Sequence, residues 1–265
     1  MRVIWIQWIR RAAAMLNRRR AARGQAVSGA GAGAGCRCEE VREGRRRLAG
    51  ILDEVLPSEI VVRLEQGHRR FAECFEDVTV LFADMVGFSE RSRSMAPTAI
   101  VELLNRVFSE FDRLALRHGV QKIGSQGDSY LAVAGLPRVR ADHAAAAAAL
   151  ALALQAAMTG HRTLDRHPLQ LRVGLHSGPV VAGIIGERVY RYDIWGPTVN
   201  LASRMESSCE AGRIQISDQT RLRLNGEFAC EERGMVEMKG FGPQRTFWLV
   251  GARGGHAGHA HVVRC

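Results

Sequence analysis

The chain has 265 residues, enough for one sizeable core, and 37 Lys and Arg against 27 Asp and Glu give it a net charge of +10. The excess is local: the first 50 residues hold 12 of the basic and 3 of the acidic side chains, leaving 25 and 24 for the rest. A near-neutral body gives no support to a general nucleic-acid-binding surface, so no nucleic-acid partner is expected.

Residues 1–50 read as a basic, low-complexity tail with little to bury and are expected to be disordered. Its first eleven residues, MRVIWIQWIRR, carry an apolar run broken by Gln7, too short to span a bilayer and without a cleavage site. Trp5 and Trp8 beside arginines suit peripheral contact with an anionic membrane surface, although a disordered basic leader is the plainer reading. The six cysteines, Cys36, Cys38, Cys74, Cys209, Cys230 and Cys265, form no C-x-x-C pair. Reduced thiols and a cytoplasmic location follow.

Residues 51–75 are expected to be a helical linker, with Leu52, Val55, Leu56, Ile60, Val61 and Leu64 at helical spacing and an interruption at Pro57–Ser58. From 76 to 250 the pattern is that of a folded domain. Residues 77–83 (DVTVLFA) predict a strand. Residues 97–118 predict an amphipathic helix with Pro97 near its start and one apolar stripe. Short strands follow at 120–126 and 129–135, joined by Gly127–Asp128. The Ala-rich run predicts a closely packed core helix from 141 to 158. Strands are predicted at 169–176 and 179–185 with a turn at Gly178–Pro179, a helix at 197–210, then short strands with one helix to 250. Residues 251–265 form a Gly- and His-rich tail, expected to be disordered. Strand, helix, hairpin, helix, strand is the ferredoxin-like βαββαβ plan of an α+β domain, with additional C-terminal strands.

In that plan the end of the first strand and the turn between the second and third share a sheet edge. Asp84 and Asp128 are thereby brought together. Two hard oxygen ligands at such an edge suit two Mg²⁺ or Mn²⁺ ions, which can hold the attacking and leaving oxygens of a phosphoryl transfer. Met85-Val86-Gly87-Phe88-Ser89 follows, with N–H groups available to phosphate oxygens.

Three runs carry a resemblance. Val80-Leu81-Phe82-Ala83-Asp84-Met85-Val86-Gly87-Phe88 resembles the first metal motif of the class III adenylate/guanylate cyclase catalytic domain, and Gly127-Asp128-Ser129-Tyr130 the second. The run Arg191 to Glu206 (RYDIWGPTVNLASRME) is similar to the family's most specific stretch. The resemblance implies domains paired as a homodimer, with Asp84 and Asp128 of one subunit holding two Mg²⁺ or Mn²⁺ per site. It implies substrate contacts from Met85, Val86, Gly87 and Phe88, and from Asp193, Ile194 and Trp195 of the other subunit at the base. Asn200 would meet the ribose and Arg204 the transition state, as catalytic residues, and Lys239 the polyphosphate. The implied reaction converts ATP to 3′,5′-cyclic AMP and pyrophosphate, for intracellular signalling.

One departure bears on the base. ATP-using relatives carry a lysine four residues before the second metal aspartate, and here that position is Gly124. Guanylate cyclases carry Glu there and Cys at the position of Asp193. Half of the adenine pair is present and none of the guanine one, which favours ATP with reduced selectivity or rate. Strand alternation puts Lys122, Gly124 and Gln126 on one face, so Gln126, and after it Lys122, is expected to fill the gap. Pro197 stands where an acidic residue is common. An alternative is a degenerate cyclase domain with little activity, serving as a nucleotide-binding or regulatory dimerisation partner. A diguanylate cyclase is disfavoured, because no G-G-[DE]-E-F run occurs.

Overall fold

The structure is a computed structural model that describes residues 50, 52, 55–68, 71–160, 169–185 and 191–253. The basic leader through residue 49 and the Gly/His tail from 254 lie outside the described residues, and with them the disorder and membrane contact expected there.

The first helix, α1 (Ser58–Glu65), lies within the expected linker. Leu56, Ile60 and Val61 are buried against Phe75, Val180 and Ile184, so this segment contributes to a core. Strand β1 (Phe71–Met85) is followed by one turn of helix, α2 (Phe88–Arg91), and a 3₁₀ turn. Helix α3 (Pro97–His118) has proline in its first turn and Gly119 in the left-handed conformation at its end, the asymmetry that proline's fixed φ and glycine's missing Cβ dictate. Strands β2 (Gln121–Gln126) and β3 (Ser129–Ala134) form the hairpin, and α4 (His143–Met158) is the Ala-rich helix. Then come β4 (Leu171–Ile184), β5 (Tyr192–Trp195) and α5 (Pro197–Ser207). The chain continues through β6 (Ile214–Ser217), α6 (Asp218–Arg223), β7 (Phe228–Met238) and β8 (Gly242–Ala252).

The strands make one sheet in the order β2-β3-β1-β4-β6-β8-β7, with β5 paired to β4. Strand β3 is antiparallel to both β1 and β2, and β1 is antiparallel to β4. This is the expected ferredoxin-like core, with β6 to β8 extending it past β4. On one face, α3 and α4 bury Leu103, Val107, Phe111, Ala147 and Leu154 against Leu81, Tyr130 and Val173. Small side chains on α4 let that helix lie close. The opposite face packs Val78, Val80, Val133 and Ala182 beneath α1 and β5. Among the described residues no helix is long and apolar enough to cross a membrane.

Two predicted boundaries are corrected. Strand β1 begins at Phe71, not at 77, and Gly178–Pro179 does not turn: β4 is continuous. Strand β1 slips register between Phe75 and Val78, directly across from this dipeptide. Proline's missing N–H therefore falls where the ladder is already interrupted. The Pro179 carbonyl accepts the Thr198 hydroxyl at 2.6 Å instead, tying α5 to the strand.

Candidate active site

Asp84 and Asp128 come together as expected. Asp84 lies opposite Ser129 of β3, and Asp128 is the residue before it, in the turn opened by Gly127 at φ 63°. Burial, and after it the negative charge of Asp84, raises the Asp128 carboxyl above its ordinary range. Two carboxylates in mutual repulsion at a sheet edge call for a cation.

Part of that charge is met by Arg172, a residue that the sequence pattern did not single out. It faces Asp84 across the β1–β4 ladder and donates from Nη2 to Asp84 Oδ2 at 2.8 Å. Its Nε lies 3.1 Å from Glu206 Oε1. The contact is an ion pair by distance only, since both atoms are buried and neither has an aligned hydrogen bond. Burial first, then the charge of Asp84, pushes the Glu206 carboxyl up to about 7, with Arg172 opposing the rise. A signal for Arg172 was present in the sequence: it is the only Lys or Arg in the apolar stretch from 169 to 184.

Helix α5 reaches this site because Gly174 lets it. A Cβ there would lie 2.0 Å from the backbone nitrogen of Glu206, so helix and strand touch backbone to backbone. Leu201, Ala202, Met205 and Glu206 point inward, while Asn200 and Arg204 are exposed on the outer side. At 3.6 residues per turn, Arg204 and Glu206 project about 200° apart. The helix thus offers Glu206 to the carboxylate pair of its own chain and turns Asn200 and Arg204 away from it. Among the described residues neither outward side chain has a hydrogen-bond or ion-pair partner. Lys239 is exposed in the β7–β8 turn, which is fixed beside α5 by Met238 packing on Leu201 and Met205.

The segment after Asp84 is more restricted than expected. Met85 and Phe88 are core side chains, and the Val86 N–H is taken by the Gln170 carbonyl at 2.9 Å. The N–H groups left for an anion begin at Gly87, whose φ of 69° opens α2. At the other end of the expected site, Ile194 is buried and Trp195 half-buried on β5. Asp193 is pinned: its Oδ1 accepts the Ile194 N–H at 2.9 Å, and its Oδ2 lies 3.4 Å from Arg191 Nε.

The shared face of Lys122, Gly124 and Gln126 is corrected. The β2–β3 register slips between Lys122 and Gly124, so Lys122 stands opposite Ala132 and Gly124 opposite Leu131. The extra residue, Ile123, reverses the alternation for Lys122. Its ammonium donates to Asp112 Oδ2 at 2.7 Å, over the Tyr130 ring on the helical face. Gln126 stays on the face of Gly124 and is exposed.

Among the described residues no three His, Cys, Asp or Glu side chains cluster as a closed metal site. Two carboxylates beside a loop of N–H groups nevertheless fit Mg²⁺ or Mn²⁺, which are held by one or two carboxylates with substrate phosphates completing the shell. Two surface cavities, one lined by Glu73 to Asp77 with Val139 and one by Arg221, Phe228 and Phe247, include none of these residues.

A family model described as the Adenylate and Guanylate cyclase catalytic domain matches residues 71–251. An adenylate cyclase of Mycobacterium tuberculosis (strain ATCC 25618 / H37Rv) is 43% identical over 219 residues, covering 82% of this chain and 49% of that protein. Atrial natriuretic peptide receptor 2 of Homo sapiens is 41% identical over 227 residues, covering 84% of this chain and 22% of the receptor. The guanylate cyclase domain of RhGC from Catenaria anguillulae, solved in complex with GTP, is similar at a TM-score of 0.66 and 37% identity, covering 68% of this chain and 100% of that one. The chain therefore spans half or less of the length of these two curated relatives, and the names of the adenylate cyclase and of the solved guanylate cyclase domain divide between the two purines.

Proposed function

The chain belongs to the adenylate and guanylate cyclase catalytic-domain family, and we propose that it converts ATP to 3′,5′-cyclic AMP and pyrophosphate at sites formed between two copies of itself. The observation that carries this reading is the arrangement of α5. Arg204 and Asn200 are exposed on the side of α5 turned from Glu206 and the Asp84–Asp128 pair of their own chain, which supports the reading that a second chain supplies them. One sequence holds both sets, so a symmetric pair builds two equivalent sites.

In the reaction the ribose 3′-oxygen bonds to the α-phosphorus as the bond to the bridging oxygen breaks. Pyrophosphate leaves with that electron pair, and the hydroxyl proton passes to solvent. Two Mg²⁺ or Mn²⁺ ions held by Asp84 and Asp128 would supply a lowered 3′-hydroxyl pKa and neutralised phosphates. Arg172 steadies Asp84 and offsets the charge of the pair. Asn200 orients the sugar, Arg204 meets negative charge developing at the α-phosphate, and Lys239 meets the polyphosphate. Asp193 accepts from the adenine amine. The N–H groups from Gly87 onward receive phosphate oxygens. This reading supports a role in cyclic-nucleotide signalling inside the cell.

The test is complementation. Asp84→Ala and Arg204→Ala are each expected to abolish Mn²⁺-supported cyclic AMP and pyrophosphate release. An equal mixture, unfolded and reassembled together, should recover about a quarter of wild-type activity, because half the dimers keep one intact site of two. Activity in either single variant, or none in the mixture while the wild type is active, overturns the shared site. A wild type that forms no product from ATP or GTP but still dimerises favours the degenerate, regulatory reading that Gly124 suggests.

A further inference from the structure

Six side chains with no part in the reaction form an unbroken hydrogen-bonded chain through the core. His143 Nδ1 lies 2.8 Å from the Thr79 hydroxyl, Thr79 2.7 Å from that of Ser177, and Ser177 3.0 Å from that of Thr220. Thr220 is 3.2 Å from Ser217 Oγ, which lies 2.7 Å from His176 Nδ1. The chain joins α4, β1, β4, α6 and β6, and no member is more than 8% exposed. Among the described residues the one further bond to these hydroxyls comes from the Thr220 N–H to Ser217 Oγ at 3.2 Å, and it takes no proton from the chain.

Proton counting gives the chain a direction. Its five links need five protons, and the four hydroxyls donate one each. One imidazole Nδ1 must therefore donate and the other accept. His143 Nε2 lies 3.5 Å from Asp77 Oδ2, an acceptor that keeps the ring proton on Nε2 and leaves Nδ1 bare. The fifth proton then sits on His176 Nδ1. The charges around the two rings differ. His143 faces Asp77 of β1 and Asp142 at the start of its own helix, and Arg223 of α6 opposes both. Asp77 is held by Arg223 at 2.7 Å and 2.9 Å, and Asp142 by Arg140 at 2.7 Å. His176 faces Arg223 with no carboxylate to offset it, and burial and then that charge push it down to about 4. Burial lowers His143 too, but there Asp77 resists the fall. His143 is the end that can hold a charge.

We propose that this chain is a pH-sensitive proton relay: in mild acid a proton enters at His176 Nε2, each hydroxyl hands its own proton to the next, and the charge settles on His143 beside Asp77. Every hydroxyl ends with one proton. His176 is neutral again, its proton moved from Nδ1 to Nε2, and His143 Nδ1 has gained the proton taken up. Asp77 then lies between two cations, so Arg223 loses part of its hold and α6 is loosened from β1. The relay does not depend on the cyclase reading.

The experiment uses the full chain with nitrogen-15-labelled histidine, titrated from about pH 8 to about pH 5. Long-range proton–nitrogen spectra read the tautomer and charge of each ring, with His143→Gln and His176→Gln assigning the signals. At the alkaline end His143 should carry its proton on Nε2 and His176 on Nδ1. Below about pH 6.5 His143 should gain its second proton, and His176 should pass to the Nε2–H form with the same midpoint. Thr220→Val removes one hydroxyl at matched size and should abolish the change at His176 while His143 still titrates. Thr220→Ser keeps the hydroxyl and should retain the joint transition. Matching tautomers in the two rings overturn the proposal, as does a His143 that stays neutral or titrates without a change at His176. A joint transition that persists in Thr220→Val does so too. The wild-type spectra decide even where a variant fails to fold, and thermal unfolding identifies such a variant.

Discussion

Replacing Gly174 with alanine tests the packing that assembles the site. The added methyl would sit 2.0 Å from the Glu206 nitrogen, 2.5 Å from the Met205 carbonyl carbon and 2.6 Å from the Glu206 α-carbon. Each is a backbone atom, so no rotamer change relieves the overlap. Reaching an ordinary contact of 3.4 Å requires α5 (Pro197–Ser207) to move off β4 by about 1.4 Å. Overpacking of that kind costs about 3 kcal/mol, the upper end of its usual range, because helix and strand must separate as units. The expected reading is a thermal midpoint lowered by roughly 6–12 °C, with a matching fall in urea midpoint at constant slope. Cyclase activity should fall by about a hundredfold, since displacement of order 1 Å at catalytic groups has that effect. Gly124→Ala is the control: its methyl meets only the tip of the Arg191 side chain, so stability should change by less than about 0.5 kcal/mol. A Gly174→Ala protein within that margin of wild type and fully active would refute the backbone contact as the device that places Glu206, Asn200 and Arg204.

Arg172→Leu strands Glu206 in a buried position beside Asp84 and should destabilise the fold by about 3 kcal/mol. Adding Glu206→Gln should recover most of that loss in urea titrations, and an equal deficit in the double variant would show that the ion pair is not the cause. A third prediction concerns His176, which bonds Ser217 Oγ at 2.7 Å and is pushed down to about 4 by burial and then by the charge of Arg223. The unfolded chain takes up a proton near pH 6.5 that the folded chain refuses until about pH 4. Its contribution is therefore whole above pH 6.5 and is lost as pH falls toward 4, by about 3 kcal/mol in all. His176→Gln should flatten the urea midpoint over that interval, and parallel wild-type and variant curves would contradict the assignment.

Much of the fold was legible because its signals are local. Period and capping residues placed α3 at 97–118, and Gly127 marked the hairpin turn. The carboxylate pair was legible for a related reason: the order of elements alone brings the end of β1 and the β2–β3 turn to one edge, so Asp84 and Asp128 need no side-chain detail to be joined. Alternation failed at Lys122, because one inserted residue, Ile123, reverses a face without leaving a mark in the residue pattern. The turn expected at Gly178–Pro179 failed in the same way, because the bulge that accommodates the proline belongs to another strand.

Residue order was enough for the carboxylate pair, the succession of strands and helices around it, and the family. Folding in three dimensions divided the remaining side chains between faces. It placed Arg172 between Asp84 and Glu206, turned Arg204 away from both, and laid Arg191 over Gly124. These are contacts between residues far apart in the chain or across a bulge. They depend on backbone approach distances at Gly174 and Gly124, which no periodicity encodes.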